Sequence, residues 1–191
     1  MKKLLLLLLL PLCTNAQYIK SFNSTGQKIV RYPELTVTNT LGNSGVEKSL
    51  LPNPDTIFAS SVNIGSRYSF SLQLNVTSPL LSVGTLTLKV KLGGSTLTLA
   101  NGVSVAGLGA TTPIYIEGEV EIKGMQSQIV NARILQMNGV AIPVGSSSIT
   151  PQADWTNDMT QVQYFDITAT FTGVTLGTTS YKSRIFRRIL E

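Results

Sequence analysis

Hydrophobic and polar residues alternate with a period of two along much of the chain. The clearest case is the ten-residue segment 67–76, in which every second residue is apolar. Successive side chains of a strand point to opposite faces of a sheet, so this spacing predicts a strand with one buried and one solvated face. Four further segments show the same spacing and are also predicted to be strands: 84–92, 95–100, 114–123 and 162–171.

Short turn signals interrupt these segments. Gly93-Gly94 predicts a two-residue hairpin, and Asn101-Gly102 predicts a second turn soon afterwards. Residues 128–137 are apolar but alternate less cleanly. Residues 181–190 fit one face of a helix or of a strand, and the surrounding strands favour the strand. Residues 142–151 are rich in Gly, Ser and Pro and predict a loop.

Many strands without a convincing interior helix are typical of sandwiches and barrels. We therefore predict an all-β fold, a jelly-roll-like antiparallel β-sandwich over residues 46–191. Residues 17–45 are weakly patterned, with one short strand at 35–37, and are predicted to be an N-terminal arm. An exposed apolar cluster usually marks a surface that a partner covers, so the apolar residues of this arm predict an oligomer. They are Tyr18, Ile19, Phe22, Ile29, Val30 and Tyr32.

The first 16 residues are typical of a secretory signal peptide. Two lysines precede a run of leucines at 4–10, and a cut after Ala16 would make Gln17 the first mature residue. The run is shorter than the roughly 20 apolar residues that a transmembrane helix needs. Two alternatives stay open, which are acylation of Cys13 in a lipoprotein signal and an uncleaved apolar peg.

Composition narrows the chemistry that this chain can perform. With no His and one Cys, it lacks Ser-His-Asp and Cys-His catalysis, histidine metal sites, Cys-rich zinc sites and an intrachain disulfide. The net charge of +5 includes a local basic stretch at 182–188, without the basic-aromatic motifs of nucleic-acid-binding proteins. We predict no cofactor, no metal ion and no nucleic-acid partner.

Carboxylates remain as candidates for catalysis. Glu117, Glu119 and Glu121 alternate along one predicted strand and would project from one face, about 6.5–7 Å apart. This spacing suits a glycosidase pair or a Ca²⁺ site. A solvated strand face that pairs with Lys89 and Lys91 explains the same residues without catalysis. Because an active site also needs a cleft, we predict that the protein is not an enzyme.

The single tryptophan lies in a polar loop before the last of the five predicted strands. Asp154, Trp155, Asn157 and Asp158 would form a ligand-binding platform if the indole is exposed, since aromatic rings stack on sugar rings. The alternative is that Trp155 closes the open end of the sandwich. Asp166, on the outward face of the following strand, is predicted to be a strand-edge or turn partner rather than a catalytic base.

Three segments carry a resemblance to a known family. Residues 86–96 contain Leu-Lys-Val-Lys-Leu-Gly-Gly, residues 114–124 form an acidic strand with Tyr115 near an aromatic position, and residues 165–191 close the chain. Their order resembles the jelly-roll knob domain of bacteriophage head fibres and of tail fibres or spikes. Trp is absent from the acidic segment, and Phe171-Thr172 replaces the Trp-Ser pair of the closing segment.

The resemblance implies a non-enzymatic structural and adhesion protein on the virion surface. It implies a homotrimer that contacts other virion proteins and a glycan or protein of the host cell surface. The leader supports a different hypothesis, a bacterial secreted or surface-anchored β-sandwich binding module, located outside the cell or at the outer membrane.

Overall fold

The computed structural model describes residues 19–22, 28–32, 39–40, 45–51, 54–77, 82–107, 111–137, 152–175 and 180–190. Within these ranges the backbone forms thirteen strands and one short 3₁₀ turn at Ala59–Ser61. The strands are β1 (Ile19–Phe22), β2 (Lys28–Tyr32), β3 (Asn39–Thr40), β4 (Lys48–Ser49), β5 (Asp55–Ile57), β6 (Arg67–Thr77), β7 (Ser82–Leu92), β8 (Ser95–Gly107), β9 (Thr111–Gly124), β10 (Ser127–Met137), β11 (Gln152–Trp155), β12 (Gln163–Thr175) and β13 (Ser180–Leu190).

The five strands predicted from alternation are confirmed as β6, β7, β8, β9 and β12. In β6 the apolar positions are buried and the polar positions between them are half-buried or exposed along the whole strand. The two ambiguous segments also form strands, β10 and β13. The predicted loop at 142–151 and the predicted strand at 35–37 lie outside the described residues.

The turn predicted at Asn101-Gly102 is wrong. Strand β8 continues through this dipeptide to Gly107, and the register with β7 shifts between Leu86 and Leu88. Gly102 adopts a φ of 64°, and its backbone N–H donates to the Thr87 hydroxyl at 3.2 Å. The dipeptide therefore forms a β-bulge, in which glycine supplies the left-handed conformation without ending the strand.

The strands form two antiparallel sheets. The larger sheet has the order β1-β2-β13-β6-β9-β10-β11, with β3 also paired to β13. The smaller sheet has the order β4-β12-β7-β8, with β5 also paired to β12. The N-terminal strands β1 and β2 thus extend the larger sheet beyond β13, while β10 and β11 extend its opposite edge.

Eight of these strands have the nested pairing of a jelly roll. Strand β2 pairs with β13, β4 with β12, β6 with β9, and β7 with β8, so the first strand meets the last and the two middle strands meet each other. This is one long hairpin of four strand pairs rolled into two sheets. The predicted jelly-roll-like antiparallel sandwich is confirmed as a fold class, and its first strand, β2, lies within residues 17–45, the segment predicted to be an arm.

The core lies between the two sheets and is aromatic near its centre. The rings of Tyr68, Phe70 and Phe165 pack with centroids 4.7 to 6.4 Å apart. The Tyr68 hydroxyl donates to the Asp55 carboxylate at 2.8 Å, which accounts for a buried acidic side chain. With its inner face closed, the sandwich presents polar groups on the two outer faces.

Candidate functional site

The outer face of the larger sheet carries carboxylates, amides and hydroxyls in rows that cross β6, β9 and β10. The register aligns Glu119 with Ser69 and Asn131, and it aligns Glu117 with Ser71 and Arg133. We call this surface the polar face. It consists of Arg67, Ser69, Ser71, Gln73, Tyr115, Glu117, Glu119, Glu121, Asn131 and Arg133.

Two of the three glutamates are held in ion pairs on this face. Glu117 Oε1 accepts a hydrogen bond from Arg133 Nε at 2.7 Å and lies 2.5 Å from a terminal guanidinium nitrogen. Glu121 pairs with Lys123 at 2.8 Å and with Arg67 at 3.8 Å. The hydrogen bond from Lys123, with the charges of Lys123 and Arg67, lowers the pKa of Glu121. Both carboxylates are therefore partners of neighbouring cationic side chains.

The expected pairing of the acidic strand with Lys89 and Lys91 is wrong. Both lysines lie on β7 in the smaller sheet, where their ammonium groups are 3.8 and 3.0 Å from the Glu47 carboxylate. Alternation shows that two strands have matching charged faces, but it does not show which strands are neighbours. The jelly-roll connection places β9 between β6 and β10, which supply the actual partners.

Glu119 lies at the centre of the polar face, between Ser69 and Asn131. It has no charged partner among the residues that the structure describes. An open sheet face does not exclude water from a reacting carboxyl group, as a catalytic cleft does. In the same part of the chain, no three acidic or Cys side chains come together in a group that could hold a metal ion.

A hollow of about 240 Å³ opens on the polar face beside Tyr115. Tyr115 and Leu135 give it an apolar side, while Ser71, Gln73 and Glu117 give it a polar side. The Gln73 amide donates to the Tyr115 hydroxyl at 2.8 Å and so ties the aromatic ring to β6. The hollow therefore combines an anchored ring with hydrogen-bonding groups.

Leu135 enters the hollow because of a β-bulge. The register of β10 with β9 shifts between Ile134 and Gln136, which leaves Leu135 as the extra residue. Its side chain is 52% exposed although it is large and apolar. Sequence reasoning singled out Tyr115 and Glu117 but missed Gln73 and Leu135, because their contribution depends on strand order and on this bulge.

The expectation of an exposed Trp155 is wrong. Strand β11 adds to the edge of the larger sheet, where Trp155 pairs with Gln128, and its side chain is only 4% exposed. This burial agrees with the alternative in which the indole closes one end of the sandwich. A buried ring offers no face on which a sugar could stack.

The other residues of this loop are held by local hydrogen bonds. The Gln128 side chain binds the backbone N–H and carbonyl of Asn157 at 2.9 and 3.0 Å. Hydrogen bonds from the Thr160 hydroxyl and backbone N–H lower the pKa of Asp158, and Asp154 is exposed. Ligand binding by these residues stays a prediction.

A second polar cluster ties three strands of the smaller sheet together. The Ser49 hydroxyl donates to Asp166 at 2.6 Å, and the Thr168 hydroxyl donates to Glu47. Burial raises the pKa of Asp166 more than the bond from Ser49 lowers it. Burial would also raise the pKa of Glu47, but hydrogen bonds from Thr168 and Lys91, with the lysine charges, lower it overall. Asp166 thus accepts a hydrogen bond that links β12 to β4.

The predictions for the leader, including acylation of Cys13, fall outside the described residues. Within the described part of the chain, we find no helix with the length and apolar character needed to cross a membrane.

Comparisons with known proteins give only a distant structural likeness. No protein-family model and no curated protein matches the chain. A structure of infectious bursal disease virus, Gx strain, aligns at 10% identity and a TM-score of 0.41, covering 86% of this chain and 33% of the viral chain. The structure of the Gt strain aligns at 14% identity and 0.40, covering 86% and 32%. The chain thus spans about a third of those viral chains, and a likeness this weak does not identify its function.

Proposed function

We propose that this chain is a non-enzymatic structural and adhesion protein of a virion, a jelly-roll knob of a phage head or tail fibre. The observation that carries the proposal is the nested strand pairing. The three segments that resemble the phage knob family lie on β7, β9 and β12–β13, and each is part of the eight-stranded roll. The resemblance and the observed topology therefore favour the same kind of domain.

The polar face supports a role in binding rather than in catalysis. Glu117 and Glu121 are half-buried and paired with Arg133 and Lys123, and they lie on an open sheet. A general acid needs an environment that shifts its pKa toward the working pH, usually through burial. We propose that this face contacts a glycan or protein of the host cell surface.

Exposed apolar residues support assembly with further chains. Ile57 pairs with Gln163. The residues next to this pair, Phe58 after Ile57 and Val162 before Gln163, are 51% and 45% exposed. Tyr164, next to them on β12, is 59% exposed. A patch of this kind marks a protein interface more often than a free surface. We propose a homotrimer that uses this patch and the arm to contact its copies and other virion proteins.

A free edge of the smaller sheet supports the same proposal. In the described part of the chain, β8 pairs only with β7, and its 13 residues include no charged residue and no proline. Natural proteins usually protect such an edge with charges, proline, bulges or a covering partner. Here bulges interrupt the strand, and assembly would cover the remainder.

The leader favours a second candidate, a bacterial secreted or surface-anchored binding module. Two lysines, a leucine run and a small residue at Ala16 would direct export and cleavage. The polar face would then bind its partner from outside the cell.

One fractionation experiment distinguishes the two candidates. Particles are purified from the producing culture on a density gradient, and the chain is quantified and its N-terminus identified by mass spectrometry. We expect the chain to copurify with particles in a fixed ratio to the capsid protein. Its absence from particles, with a mature N-terminus at Gln17 or an acylated Cys13 in the envelope or medium, would contradict the virion proposal.

A further inference from the structure

We propose that the hollow on the polar face binds one ring of a neutral sugar, the terminal or internal pyranose of a surface glycan. This inference rests on the proposed adhesive role, but it does not depend on whether a virion or a cell carries the module. Pockets for drug-sized ligands have about 300–1,000 Å³. A hollow of about 240 Å³ therefore suits a single ring.

Most of the backbone around the hollow is not available to a peptide. Strands β6 and β9 each have a hydrogen-bonded neighbour on both sides, whereas β10 pairs with β11 only at residues 128–131 and, among the described residues, with β9 alone around Leu135. A peptide that adds a strand to a sheet needs an open edge, which here exists only along β10 beside the hollow. A ligand inside the hollow must be recognised by side chains, which favours a small, rigid group.

The apolar side of the hollow fits the carbon-bound hydrogens of a sugar ring. Tyr115 offers an aromatic face that the 2.8 Å bond from Gln73 already holds in place. An anchored ring loses little conformational entropy when a ligand binds. Leu135 adds an exposed aliphatic group, and β-bulges that re-aim a side chain are common beside functional sites.

The polar side of the hollow fits sugar hydroxyls, which both donate and accept hydrogen bonds. Because the Gln73 amide nitrogen donates to Tyr115, its carbonyl oxygen is available as an acceptor and the tyrosine hydroxyl proton as a donor. Both bonds from Arg133 go to Glu117 Oε1, which leaves Oε2 as a further acceptor. The Ser71 hydroxyl can act in either way.

The charges around the hollow select a neutral ligand. Among the side chains that the structure describes at the hollow, Glu117 and Arg133 neutralise each other, so an anionic sugar meets a carboxylate there without an excess of positive charge. A cationic ligand would compete with Arg133 for the same oxygen. A neutral pyranose is not repelled by the carboxylate and does not compete with Arg133, and its hydroxyls can still donate to the carboxylate.

Saturation-transfer NMR tests this site with the full chain and the methyl glycosides of glucose, galactose, mannose and N-acetylglucosamine. We expect transfer to at least one glycoside, about tenfold weaker binding in Tyr115→Ala, and a severalfold loss in Leu135→Ser. Tyr115→Phe keeps the ring and should lose less than Tyr115→Ala. The control is Ile64→Ala, which shortens an exposed apolar residue outside both the hollow and the apolar patch and should bind like the parent.

Two results would overturn the inference. One is the absence of transfer to every glycoside, and the other is binding that Tyr115→Ala and Leu135→Ser leave unchanged while both remain folded by circular dichroism. Neither result affects the proposed virion role, because copurification with particles tests that role separately.

Discussion

Gly118 shows how tightly single positions of the core are constrained. It faces the core from β9, and an added Cβ would lie 2.4 Å from Phe70 Cζ and 2.6 Å from Ala132 Cβ. Dense cores tolerate such overpacking poorly, so we expect Gly118→Ala to lower the free energy of unfolding by about 1–3 kcal/mol. Urea denaturation measures this loss. Gly94→Ala is the control, because nothing lies within 4 Å of its added Cβ; equal effects of the two changes would contradict the packing described for Gly118.

Asp166 makes the free energy of unfolding depend on pH, and the direction of this dependence can be predicted. Burial raises its pKa, so its contribution to stability is present below the unfolded pKa, near 3.9, and is lost as the pH rises through the folded pKa. We expect Asp166→Asn to be more stable than the parent protein at pH 7, with the gap closing below about pH 4. Urea denaturation at several pH values measures this difference.

Glu47 serves as a control because its pKa is shifted in the opposite direction. Because its pKa is lowered, Glu47 stabilises the folded protein above the ordinary carboxyl pKa. This stabilisation is lost as the pH falls through the pKa that Glu47 has in the folded protein. Glu47→Gln should therefore be less stable than the parent at pH 7 and should approach it in acid. If both variants shift stability in the same direction, the electrostatic description of this cluster is wrong.

Substitution of Glu119 distinguishes a binding role of the polar face from a catalytic one. It lies on an open face without a charged partner among the described residues, so we expect Glu119→Gln to change stability by no more than about 0.5 kcal/mol. No glycan should be hydrolysed by either protein. Product release from a polysaccharide, seen with the parent chain and lost in Glu119→Gln, would show that the chain is a glycosidase.

At the scale of elements, the bulge in β8 depends on glycine. Gly102 has a φ of 64°, and nothing lies within 4 Å of an added Cβ, so any effect of a side chain comes from the backbone conformation alone. We expect Gly102→Ala to cost about 1 kcal/mol and Gly102→Asn to cost less, since Asn tolerates the left-handed region. Thermal unfolding compares the two variants, and an Ala variant as stable as the parent would rule out this strain.

The strands themselves could be predicted because one face of each is buried. Alternation in β6, β7 and β9 records that burial directly in the sequence. Bulges break the period, which explains why Asn101-Gly102 looked like a turn and why β10 alternated poorly around Leu135. Strand β11 has only four residues and is too short to show a period, so the sequence left both an exposed and a buried Trp155 open.

The hollow could be predicted only in part for the same reason. Tyr115 and Glu117 come from one regular strand, whereas Gln73 comes from β6, which is distant in sequence and adjacent only through the jelly-roll connection. Residue patterns do not encode which strands are neighbours.

At the scale of the whole molecule, residues 17–45 supply the first strand of the roll, β2, together with β1 and β3 of the same sheet. Residues of β1, β2 and β3 lie beyond β13, so deletion of residues 17–45 would leave the eleven-residue edge of β13 open. We expect the 17–191 protein to sediment as a trimer and the deleted protein to dissociate or to aggregate through that edge. A monomer at micromolar concentration that the deletion leaves unchanged would contradict both the trimer and the role of the arm.

Adhesion through the polar face is tested most directly by binding of the fluorescently labelled chain to the cells that the particles infect. Flow cytometry compares the parent with Tyr115→Ala and with the control Ile64→Ala. We expect the parent and the control to label the cells equally and Tyr115→Ala to lose most of the signal. Equal labelling by all three proteins, or no labelling by the parent, would contradict adhesion through this face.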